Sequence, residues 1–156
     1  MNNYFLSLMA HEHWANKNLI AALRTMELPP KRVTEVFPHM FTAHELWHGR
    51  LTGKDPNVNA LAWWPPFDLD QCERLNEEYR EKWQHYLGSL SAPIESLHGN
   101  FTSLKGEPIS FRVMDCLTQL HSHSVNHRGQ IAALLNQAGV KGIQMDYIVW
   151  CKQMGM

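Results

Sequence analysis

The sequence predicts an all-α fold, a four-helix bundle with long crossover connections and a short C-terminal helix, spanning residues 1–156 as a single domain. Two observations lead to this. Four segments repeat apolar residues at the three-to-four spacing of an amphipathic helix, and Pro- or Gly-rich breaks separate them. The connections over 53–67 and 91–110 are too long for a simple up-down-up-down order and suit one with crossovers.

The first helix runs from Asn3 to Thr25, with Leu8, His11, Ala15, Leu19, Ala22 and Met26 on its inward stripe, and Pro29-Pro30 ends it. Lys31 to Leu51 repeats the pattern through Val33, Phe37, Met40, His44, Trp47 and Leu51 before Gly53 and Asp55-Pro56 break it. The loop over 55–67 holds Trp63 and Trp64 ahead of Pro65-Pro66, which forbid regular helix, so its aromatics need a surface to cover; a pocket rim is one candidate. Asp68 or Asp70 caps a third helix running to about Leu90, with Leu75, Tyr79, Trp83, Tyr86 and Leu90 inward. Residues 96–110, with Gly99, Gly106 and Pro108, read as a short extended excursion. A long fourth helix opens near Ser110, carries Val113, Leu117, Leu120, Ser124, His127, Ile131, Leu134 and Leu135 inward, and ends at Gly139. A short helix from about Asp146 to Gln153 closes the chain.

Composition narrows the function. Fourteen basic residues against fifteen acidic give a formal charge of −1, which supplies no electrostatic footprint for nucleic acid. Cys72, Cys116 and Cys151 are odd in number, far apart and in no Cys-x-x-Cys arrangement, as in a reducing cytoplasm. No apolar stretch is long enough to span a membrane, and the start lacks the pattern of a signal peptide. The expectation is a cytoplasmic protein that acts on a small molecule, with no nucleic acid and no membrane as partner.

The chemistry concentrates in the histidines. His123 and His127 stand one helical turn apart inside an apolar repeat, so both rings face the same way and can reach one divalent ion. Burying two unpartnered imidazoles costs about 1–3 kcal/mol each, a cost that a shared ion removes; the plainer reading is two core histidines bonded to side chains or water. A third ligand must come from elsewhere, and the second helix offers His39, His44 and His48, among which spacing does not choose. His39 and His44 lie about 140° apart round the helix and do not readily serve one ion, and the plain reading of His39 and His48 is packing or solvent. His11 is a weaker inward candidate, whereas His13, His85 and His98 default to the surface and His121 points away from His123. Gln130 is placed to bond a ligand imidazole. Arg128 reads either as an ion pair with a neighbouring helix or as an anchor for an anionic group at the site mouth.

The segment His123-Ser-Val-Asn-His127-Arg-Gly-Gln-Ile131 resembles the His-x-x-x-His-Arg-Gly-Gln signature of the DinB-like (YfiT/DinB) helical-bundle family. Residues 4–19, 39–50 and 139–149 are similar to its opening helix, second helix and ending. The resemblance implies a divalent ion held by His44, His123 and His127, and a homodimer. Gln119 and Ser122 stand where many members carry His and Asn, and His121 is an addition.

Three imidazoles completed by water leave an open coordination position, as catalytic sites do. Zinc or nickel suits such donors best, with iron and manganese as further candidates. Some relatives transfer low-molecular-weight thiols to electrophiles, so the resemblance implies a metal-dependent thiol transferase or hydrolase, with the ion and a low-molecular-weight thiol as cofactors. No Asp or Glu sits on the inner faces of the second and fourth helices, which favours a substrate that brings its own nucleophile over hydrolysis. The competing expectation is a non-catalytic metal-binding stress-response protein.

Overall fold

The computed structural model describes residues 2–103 and 105–155. The chain forms α1 (Asn2–Arg24), α2 (Lys31–Leu51), α3 (Leu69–Ser89), β1 (His98–Thr102), β2 (Pro108–Arg112), α4 (Val113–Gln137) and α5 (Tyr147–Gln153). Helix α1 packs chiefly on α3, and α2 chiefly on α4. Consecutive helices α1 and α2 therefore lie diagonally, as do α3 and α4, which is the crossover order that the long connections imply. No helix among the described residues is long and apolar enough to cross a membrane.

Local chemistry sets the helix ends. The Asp68 carboxylate accepts a hydrogen bond from the Gln71 N–H at 2.9 Å and caps α3. Helix α4 ends on Gly139, whose φ of +92° favours glycine. There the Gly139 and Val140 amides turn back onto the carbonyls of Asn136 and Leu135. The fourth helix starts at Val113 rather than near Ser110, because residues 108–112 pair antiparallel with 98–102. The expected extended excursion is this hairpin.

Leu19, Leu23, Phe37, Met40, Trp83, Leu87, Leu117, Leu120, Ile131 and Leu135 fill the centre of the bundle. Each such side chain contributes about 1.5–3 kcal/mol by leaving water. On α3 the stripe is rotated from the expected one: Cys72, Asn76, Tyr79, Trp83 and Leu87 are buried, while Leu75, Tyr86 and Leu90 pack at the edge. Helix α2 has no solvent face over residues 36–44, all of which are buried. It lies between α4, α3 and the loop over 54–67, which is pinned to it where the Thr42 hydroxyl donates to the Ala62 carbonyl at 2.9 Å. This enclosure decides which histidines meet.

Candidate metal centre

His39, His123 and His127 each offer a ring nitrogen, and the three nitrogens lie within 4.8 Å of one another. The α4 pair meets edge to face, with centroids 4.3 Å apart, because residues four apart on a helix share a face. His39 faces both of them from α2, at 5.3 Å from the His123 ring and 5.1 Å from that of His127. An ion about 2.1 Å from each nitrogen brings the three to about 3.4 Å apart, a closure within reach of small side-chain rotations.

The far sides of two rings are anchored. His39 Nδ1 donates to the Trp63 carbonyl at 2.7 Å, which directs Nε2 toward the α4 pair. His127 Nδ1 meets the Gln130 side-chain oxygen at 3.3 Å, the contact expected of that glutamine. His123 Nε2 is buried with no hydrogen-bond partner. An orphaned imidazole nitrogen facing two others is what a metal-ligating set requires, so the residues present fit a divalent ion. Trp64 stacks on His39, with centroids 4.2 Å apart and planes inclined by 17°, so the Trp63-Trp64 loop forms the rim of this centre.

Charge works in the same direction. Burial, with the charges of His127 and His39, lowers the His123 pKa to about 4. Burial is also the main cause of the lowered His127 value. At neutral pH these two lone pairs are therefore available to a cation.

The structure does not bring His44 to this group. Its Nδ1 accepts from the Trp83 indole N–H at 2.8 Å, a contact in which only the tryptophan can donate. The ring proton is therefore on Nε2, which donates to Glu12 Oε1 at 2.7 Å. Both nitrogens are committed, and neither lone pair is free for a metal. The 140° between His39 and His44 turns one toward α4 and the other toward α1 and α3. The sequence had set these two residues apart, but the third imidazole beside His123 and His127 is His39. Burial of the whole span 36–44 hid this, since a stripe argument works only for a helix with a wet side.

Glu12 is the functional-type residue that sequence reasoning missed. It is 2% exposed and sits where Leu8, Glu12, Ala15 and Leu19 continue the inward spacing of α1, a signal legible in the chain. Arg128 Nη1 lies 3.6 Å from Glu12 Oε1, and His121 Nδ1 lies 3.6 Å from Oε2. Burial alone would raise the Glu12 pKa, but His44, Arg128 and His121 hold it well below the usual carboxylate range. Arg128 thus makes an ion pair with a neighbouring helix and does not reach the site mouth. Of the other histidines, His11 is buried and its Nε2 donates to the Met145 carbonyl at 2.8 Å. His13, expected at the surface, is half-buried and bonded to Glu77 at 2.8 Å. His48 packs edge-on to Trp83, while His85 and His98 are exposed as expected.

A crossover helical bundle that gathers three imidazoles from its second and fourth helices, with the far nitrogens of two of them anchored, defines a histidine-rich protein able to hold a metal ion. The DinB family model matches residues 1–154, and the chain belongs to the DinB family. No curated protein and no solved structure gave a significant match.

Proposed function

We propose that the protein is a metal-dependent enzyme of the thiol-transferase type, with His39, His123 and His127 holding a divalent ion. The observation that carries this reading is the convergence of three imidazole nitrogens within 4.8 Å, one of them buried and unpartnered. When bound, the ion supplies Lewis acidity and favours the thiolate form of a thiol at an open position. The neutral nitrogen donors suit zinc or nickel.

The chain's own residues favour an external thiol over hydrolysis. Glu12, the buried carboxylate among the central polar side chains, is engaged by His44 and flanked by Arg128, so it is not free as a general base for water. Burial pushes the thiols of Cys72 and Cys116 up to about 12 and about 11, which makes them poor nucleophiles. A low-molecular-weight thiol that brings its own nucleophile needs neither. Anchoring by Trp63 and Gln130 fixes the ring orientations of His39 and His127, and Trp64 shields His39 from water.

Elemental analysis of untagged protein, paired with assays of common thiols against an electrophilic acceptor, tests the proposal. One ion per chain with thiol-dependent turnover supports it. Stoichiometric metal without turnover for any thiol favours a non-catalytic metal-binding protein, and absence of metal removes the site.

A further inference from the structure

Arg32 brings a positive charge to the rim of the histidine centre, and a divalent ion held there would add a second. Imidazole coordinates in its uncharged form, so a divalent ion held by these three rings would keep its full charge. The guanidinium of Arg32, in the first turn of α2, lies 5.1 Å from the centre of the Trp64 ring, and that ring stacks on His39 at 4.2 Å. Arg32 is thus one aromatic ring removed from a ligand.

The nearby carboxylates do not balance this charge. Glu35 accepts from Arg32 Nη1 at 3.1 Å but is shared with Lys31, whose Nζ lies 3.7 Å away, so the three side chains still sum to one positive charge. Glu12 is buried and pairs with Arg128 and His44. The Arg32 side chain is about half exposed and engages Glu35 through Nη1, and Trp64 beside it is about half exposed too. A flat apolar surface next to a cation, leading from an open metal position, is complementary to a ligand with a planar body and an anionic end.

We propose that Arg32 and Trp64 select the substrate: the site takes a thiol whose far end carries a carboxylate, with the sulfur on the ion, the body against Trp64 and the carboxylate on Arg32. This rests on the metal reading given above and adds a substrate class to it. Arg32 is a specificity-determining residue here, remote from the reacting sulfur.

Cobalt-loaded protein titrated with 4-mercaptobenzoate and with its neutral analogue 4-mercaptobenzamide tests the proposal. The para geometry stops the carboxylate from chelating the ion that holds the sulfur. Thiolate-to-cobalt absorption reports binding without requiring turnover. Wild-type protein is expected to bind the benzoate about five- to tenfold more tightly than the amide, the ratio expected of one charge-assisted contact. Arg32→Gln should bring that ratio close to one, with cobalt stoichiometry and amide affinity unchanged; Trp64→Ala should weaken both ligands together. Equal affinities in the wild type, or a benzoate preference that survives Arg32→Gln, overturn the proposal while leaving the metal site standing. Failure of the wild type to take up cobalt overturns the metal reading and this one with it.

Discussion

Replacing His39 and His44 separately by Ala separates a ligand from a strut, because the two differ in what each nitrogen touches. In metal-free protein, His39→Ala removes one hydrogen bond to the Trp63 carbonyl and the stacking on half-exposed Trp64. That costs about 1–2 kcal/mol. His44→Ala instead strands the Trp83 indole N–H, in a side chain 1% exposed, and removes the 2.7 Å donor to buried Glu12. Each stranded group costs about 1–3 kcal/mol, and the cavity left by the ring adds more, so the sum is about 4–5 kcal/mol. At about 2–4 °C per kcal/mol for a chain this long, His39→Ala lowers the apoprotein Tm by about 5 °C and His44→Ala by about 10–15 °C. The order reverses for metal: His39→Ala should weaken affinity at least about 100-fold, whereas folded His44→Ala should still bind one ion. Thermal melts with and without chelator, together with elemental analysis of both variants, give all four values. The reasoning is refuted if His44→Ala folds but loses its metal, or if His39→Ala keeps full occupancy.

Other perturbations test the surroundings of the site. Glu12→Gln leaves the Arg128 guanidinium, 3% exposed, without its anion and should lower stability to urea by about 3 kcal/mol; adding Arg128→Met should restore part of that loss. In metal-free protein His123 titrates at about 4 against an ordinary 6.5, so the unfolded chain takes up this proton first as pH falls. Stability should be level above pH 6.5 and then decline toward pH 4, by about 2 kcal/mol from this residue once its partly open position is allowed for. A flat urea midpoint across that window would contradict the burial argument. Gly49→Ala places a Cβ 2.8 Å from both the Lys54 carbonyl oxygen and a Pro56 ring carbon, so it should cost about 1–3 kcal/mol in urea unfolding while metal binding persists.

Much of the bundle was legible in the chain because helix signals are local. The three-to-four apolar spacing marks the helices, and Asp68 and Gly139 mark two of their ends, as the structure bears out, although the buried face of α3 is rotated from the one that the spacing gave. The His123–His127 juxtaposition was legible for the same reason, since one helix turn fixes it whatever the tertiary context. Gln130 followed from the same turn. The hairpin was foreshadowed by Gly99, Gly106 and Pro108, but its register depends on pairing between residues up to 14 apart.

Amino-acid order alone determined the helices, the crossover order and two of the three grouped histidines, because these depend on periodicity and on loop length. Only the tertiary structure decided between His39 and His44. Helix α2 is enclosed on three sides, so hydrophobic patterning could not say which buried face met α4. The choice rests on two partners distant in sequence: Trp83 and Glu12 occupy both nitrogens of His44, while the Trp63 carbonyl takes one nitrogen of His39 and leaves the other facing His123 and His127. A histidine serves as a ligand when a lone pair remains free, and that is settled by what surrounds the ring rather than by its position in the chain.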